Sequence, residues 1–106
     1  MKFLFLIQVA EGAHPATPDE GDATGWVEEA GSRRLIGNQT DDWSTAKTVR
    51  VRDGETLVTD GPFAETKDAI AGFDVIECGS VEEALEIAAA HPVARFGGVE
   101  IRRFVE

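Results

Sequence analysis

The chain is poor in cysteine, in basic residues and in long apolar runs. Its one cysteine, Cys78, has no partner for an intramolecular disulfide, which suits a reducing cytoplasm. A small buried hydrophobe is the ordinary role for such a residue, and a reactive thiol the exceptional one. Lys and Arg number 10 against 20 Asp and Glu, for a net charge of −10. That balance opposes DNA or RNA as a partner, because affinity for a polyanion comes from Lys and Arg neutralising phosphates. The apolar run at residues 3–7 is interrupted by Gln8 and is far too short to span a bilayer, so no membrane partner is expected. A secretory leader would need a longer apolar stretch and a small-residue cleavage site before Glu11, so the same run reads as a strand. The sequence has no CxxC, no HExxH and no His/Cys cluster, and neither a structural metal nor a cofactor is expected.

What the chain does have is enough length for one core. With 106 residues and a 42% hydrophobic share, residues 1–106 read as one domain that buries roughly two thirds of its unfolded surface. Residues 2–9 are dense in Phe, Leu, Ile and Val and predict a strand buried on both faces. Gly12, Pro15 and Pro18 mark a loop. Thr17, Pro18 and Glu20 then offer a capping-box start to a helix. Gly21 and Gly25 weaken that helix by roughly 1 kcal/mol each relative to Ala, which puts its ordered start near Asp22 or Thr24. Ala23, Trp26, Val27 and Ala30 share a side, and Gly31 is placed to end it.

Residues 34–36 predict a short strand, and 37–46 a polar connection containing Trp43. Residues 48–52 and 55–59 flank Asp53-Gly54, a pair suited to a two-residue type I′ turn. The implied register sets Arg52 against Glu55, Val51 against Thr56 and Val49 against Val58. After the turn at Asp60-Gly61-Pro62-Phe63 comes a strand at 72–77. Ser80 with Glu83 caps a second helix whose apolar stripe is Val81, Ala84, Leu85 and Ala88, and Pro92 ends it. A last strand follows at 99–105. Two strand-helix-strand units with a hairpin between them make an α+β, ferredoxin-like sandwich: an antiparallel sheet with both helices on one face. The other face needs cover, and a homodimer supplies it.

The run Asp60-Gly61-Pro62-Phe63-Ala64-Glu65-Thr66-Lys67-Asp68, preceded by Thr48-Val49-Arg50-Val51-Arg52-Asp53-Gly54, resembles the signature of DGPF-type proteins of the YCII-related family. Ser80-Val81-Glu82-Glu83-Ala84-Leu85, His91-Pro92 and Gly97-Gly98-Val99-Glu100-Ile101-Arg102 extend the likeness. The resemblance implies a dimeric α+β barrel in which two sheets enclose a pocket. It also implies a possible sigma-factor association, since some members lie near extracytoplasmic-function sigma factors. Some relatives carry a His-Asp pair, but between Pro18 and Gly31 this sequence has no histidine.

Candidate site residues follow from position and chemistry. Asp60 opens a turn, where Asp ordinarily accepts a nearby backbone N–H; with Glu65 it would form a carboxylate pair able to serve as acid or base. Lys67 would neutralise that pair or hold an anionic ligand, or simply pair with Glu65 or Asp68. His91 follows the second helix, where it either faces water or moves protons near neutral pH. Asp74 interrupts an apolar strand and either meets solvent or lines the barrel interior. Trp26, Trp43 and Phe73 read as core or interface residues, and Phe63 as docked against a partner or aimed into a cavity. Three functions fit: a small-molecule-binding or sensing domain, with Phe63, Glu65, Lys67 and Asp74 on the ligand; a cofactor-independent enzyme using Asp60 and His91 as acid and base; and a protein-interaction partner in transcription control, which would show an exposed apolar patch outside the dimer interface.

Overall fold

The computed structural model describes residues 1–10, 17–61 and 68–106. In chain order the elements are β1 (Lys2–Ala10), α1 (Thr24–Ala30), β2 (Arg34–Gln39), β3 (Lys47–Arg52), β4 (Glu55–Asp60), β5 (Asp68–Glu77), α2 (Val81–Ala89) and β6 (Gly98–Arg103), with short 3₁₀ turns between several of them. β2, β5, β1 and β6 form a four-stranded sheet in that order, and every neighbouring pair is antiparallel. This is the ferredoxin-like order expected of two interleaved strand-helix-strand units. The β3–β4 hairpin forms a separate two-stranded sheet.

Alternation along the strands sorts side chains between two faces. Phe3, Phe5, Ile7 and Ile76 point to the helix side, where they pack with Trp26, Ala84, Ile87, Ala88 and Val93 into the core. The helices are clasped by the Trp26 indole N–H, which donates to the Ile87 carbonyl at 2.8 Å. On the opposite face Leu4 is registered with Val75, Leu6 with Phe73 and Ile36 with Val75. These residues are half-buried or exposed, and the described helices pack on the other face.

Local chemistry accounts for the helix ends. α1 begins at Thr24, whose N–H and hydroxyl both donate to the Asp22 carboxylate at 2.9 and 2.6 Å. Thr17 makes no side-chain cap, and residues 18–21 form only a 3₁₀ turn. Ser80 caps α2 by accepting the Glu83 N–H at 3.1 Å. Glu83 reaches back to the N–H of Gly79 at 3.0 Å rather than to that of Ser80. The apolar stripe of α2 is rotated from the expected one: Ala84, Ile87 and Ala88 are buried, while Val81 and Leu85 are exposed. The small Ala84 and Ala88 let the helix approach the sheet and draw Ile87 inward, which turns the Val81–Leu85 edge out.

The hairpin keeps the register read from the sequence, with Arg52 against Glu55, Val51 against Thr56 and Val49 against Val58. Asp53 and Gly54 have φ of 51° and 78°, both left-handed, as a type I′ turn requires.

Candidate functional site

β2 ends at Gln39, and the chain beyond it is stitched to β5. The Thr40 N–H donates to the Ala71 carbonyl at 2.9 Å, and the Thr40 hydroxyl to the Ile70 carbonyl at 3.2 Å. On the other side of β5 the register of β1 slips at the same residue: Ile7 pairs with Gly72, but Gln8 pairs with Ile70. A bulge of this kind bends the strand and re-aims side chains. Next comes a 3₁₀ turn, Trp43–Thr45, opened by Asp42, whose carboxylate accepts the Ser44 N–H at 2.9 Å.

These features bound a cleft of about 380 Å³ lined by Val9, Gln39, Thr40, Asp41, Asp42, Trp43, Ala69, Ile70 and Ala71. Its apolar lining comes from β1 and β5, and Trp43, 59% exposed, stands at its rim. Among the described lining residues the charged ones are Asp41 and Asp42. The Ser44 backbone N–H, followed by its side chain, holds the Asp42 carboxyl below the usual carboxylate range. A lining evenly divided between apolar and polar groups suits a small organic ligand that carries polar substituents.

The residues singled out by sequence fall in three places. Asp60 ends β4, where its exposed carboxylate pairs with Lys47 across the foot of the hairpin. That foot is closed by the Gly61 N–H donating to the Ala46 carbonyl at 2.7 Å and by the Thr48 hydroxyl donating to the Gly61 carbonyl at 2.8 Å. Phe63, Glu65 and Lys67 lie outside the described residues, and with them the expected Asp60–Glu65 pair. Asp74 and His91 lie in the body of the protein.

Asp74 neither meets solvent nor lines the open face of the sheet. It is buried on the helix-covered side, where its Oδ1 accepts from Arg34 Nε at 2.7 Å, with 7% of its side chain exposed. The physical reason is registry: Asp74 alternates with Phe73 and Val75 and so falls on the side of Ile76. His91 does not face water either, being 5% exposed. Pro92 turns the chain inward at the end of α2, and His91 Nδ1 caps the following 3₁₀ turn by accepting the Val93 N–H at 3.0 Å. A neutral ring bonded in this way carries its proton on Nε2. The imidazole meets the Trp26 ring edge-on, centroids 4.6 Å apart. Burial pushes its pKa below the ordinary value, and the Asp74 carboxylate works against that shift. Asp74 and His91 are therefore coupled electrically beneath the helices, apart from the exposed Asp60 and the cleft.

Trp26 and Cys78 are buried as expected. Trp43 is exposed, which removes the core half of its reading as a core or interface residue; beside it, Thr40, Asp41 and Asp42 are the part of the site that sequence reasoning missed. A signal existed: a bulky aromatic inside a polar connection, the same reasoning that drew attention to Phe63. No described helix is long and apolar enough to cross a membrane, and no group of three or more metal-binding side chains gathers among the described residues.

Comparison with known proteins gives a family, a relative and a solved structure. The model of the YCII-related domain matches residues 1–106. An uncharacterised protein of Rhizobium meliloti (strain 1021) is 53% identical over 45 residues, which is 42% of this chain and 36% of that protein. The match thus spans about a third of the length of this curated relative. The solved structure of 5-chloro-2-hydroxyhydroquinone dehydrochlorinase from Burkholderia phenoliruptrix, in complex with 2,5-dihydroxybenzoquinone, is similar at a TM-score of 0.55 and 14% identity, covering 99% of this chain and 94% of that one. The likeness is one of fold.

Proposed function

This chain belongs to the YCII-related family, and from that premise we propose that it is a small-molecule-binding or sensing domain. In this reading the ligand occupies the cleft between the ends of β1, β2 and β5. The cleft carries the reading: its volume of about 380 Å³ falls in the range of small-molecule sites, roughly 300–1,000 Å³. A protein of this fold is described in complex with a one-ring quinone, a ligand on the scale such a space admits. The run from Asp60 to Asp68 supports a place in the DGPF branch. The domain works as a homodimer, because Leu4, Leu6, Ile36, Phe73 and Val75 form an apolar sheet face that a second copy would cover as a dimeric α+β barrel. Buried Cys78 suits the cytoplasm.

The alternative, an acid–base enzyme, needs Asp60 and His91 in one pocket. His91 is sealed beneath α1 and Asp60 is exposed at the hairpin foot, so binding is the stronger reading. The test combines native mass spectrometry of freshly purified protein with titration of one-ring quinones and hydroquinones, followed by tryptophan fluorescence. Saturable quenching in the wild type, lost in Trp43→Phe and Ile70→Arg, is expected. Equal binding by Ile70→Arg would remove the cleft as the site.

A further inference from the structure

Among the described residues, the β3–β4 hairpin has no third strand and no helix over its apolar side. Its register puts Val49, Val51 and Val58 on one face together with Thr56, and the three valines are 61%, 59% and 61% exposed. An isolated two-stranded ribbon is at best marginally stable in water. This one is nonetheless paired along its whole length from Lys47–Asp60 to Arg52–Glu55. It also makes the chain too extended for its size: the radius of gyration is 15.5 Å, against about 13 Å for a compact domain of about 100 residues. A ribbon with this face and this reach is built to lie on something.

From these features we infer that the hairpin is an arm that docks its Val49–Val51–Val58 face on a second copy of this chain, extending the sheet-face contact proposed above. The inference rests on that dimer reading. Charge leaves the arm as a surface that a second copy can approach. The chain carries a net charge of −10, and its helices present Glu28, Glu29, Glu82 and Glu86 outward, so most of its surface repels a second copy. Residues 47–60 carry Lys47, Arg50 and Arg52 against Asp53, Glu55 and Asp60, so the arm is neutral.

Area points the same way. Four strands about 4.8 Å apart and about 20 Å long give a footprint on the order of 400 Å². That is about half of the roughly 800 Å² each partner gives to a stable interface. The ribbon adds a footprint on the order of 200 Å² per chain, and it rests both on its partner and under its partner's arm. The arm springs from a fixed base: the turn at Trp43–Thr45 packs on β5, and Ala46, Thr48 and Gly61 close the foot by hydrogen bonds.

The experiment compares wild type, Val49→Lys/Val58→Lys and, as a helix-face control, Leu85→Lys, by light scattering over a concentration series, with amide exchange of residues 47–60 as a second readout. The expected result is a wild-type dimer whose hairpin amides gain protection as concentration rises. The double lysine variant should raise the dimer Kd at least about tenfold and lose that protection, while its circular dichroism and the Leu85→Lys dimer stay unchanged. A double variant that dimerises as wild type does, with unchanged exchange, overturns the arm and leaves the sheet-face dimer standing. A wild type that is monomeric at every concentration overturns both.

Discussion

Arg34 and Asp74 sit on neighbouring strands and share a hydrogen bond, Nε donating to Oδ1 at 2.7 Å, directly above Gly37. A Cβ on Gly37 would be driven into the Asp74 carboxylate and would lie 2.8 Å from the Phe73 carbonyl oxygen. The ion pair thus occupies the space that a side chain would take. Its carboxylate also acts electrically on His91, so the space left by one glycine holds an ion pair that reaches a third titratable group.

Removing Arg34 leaves Asp74 buried without its partner. Arg34→Ala is expected to cost about 3 kcal/mol, the lower end for breaking a buried pair, since Arg34 retains some exposure. Arg34→Leu/Asp74→Leu should recover part of that loss. Urea unfolding of the three proteins checks both statements, and an Arg34→Ala cost below about 0.5 kcal/mol would place the pair among surface bridges.

Two glycine-to-alanine changes should have opposite signs. Gly37→Ala meets backbone and the ion pair, so a loss of about 2 kcal/mol or more is expected. Gly25 lies in α1 with nothing within 4 Å of an added Cβ, so Gly25→Ala should stabilise by about 0.5 kcal/mol through helix propensity. Paired thermal melts distinguish them.

Histidine 91 sets a pH dependence. Burial makes the folded imidazole harder to protonate than the unfolded one, whose value is 6.5. Protons therefore favour the unfolded chain, and this contribution is complete above the unfolded value and lost as pH falls through the lower folded one. Unfolding midpoints should drop in the window that opens as pH falls below the unfolded value of 6.5. His91→Asn, which retains an acceptor for the Val93 N–H, should be less stable overall yet flatter across that window. An equal slope in both proteins would assign the dependence elsewhere.

Trp43 stands at the cleft rim and contributes little to the core. Trp43→Ala should shift stability by no more than about 0.5 kcal/mol while weakening quinone or hydroquinone binding at least about tenfold. Isothermal titration beside a urea melt reads both, and a large stability loss with unchanged affinity would make Trp43 a packing residue.

Where local chemistry decides, the sequence was readable. Asp53-Gly54 fixed the hairpin register, because only a left-handed pair closes a two-residue loop with the right twist. Ser80 and Glu83 marked the start of α2, and Gly21 with Gly25 the late start of α1. The α2 stripe was misread because Val81 and Leu85 obey helical spacing as well as Ile87 does; which edge turns inward depends on how close Ala84 and Ala88 bring the helix to the sheet. Asp74 was placed on the wrong side for a similar reason: a strand pattern gives alternation, but not which phase the helices cover. The cleft escaped because it depends on the Ala71 bulge, a slip in pairing between β1 and β5 that neither strand announces alone.

The order of strands also dictates when the molecule can form. β1 lies inside the sheet, and the partners that flank it come late in the chain: Phe3 pairs with Ile76 on one side and with Arg103 on the other. Both loops must close before the Phe3–Phe5–Ile7 face is covered, and closing long loops is the slow, entropically costly part of folding. The apolar strand nearest the beginning waits for the strand nearest the end, so a chain cut short before β6 would keep one flank of β1 unpaired and prone to associate with other chains.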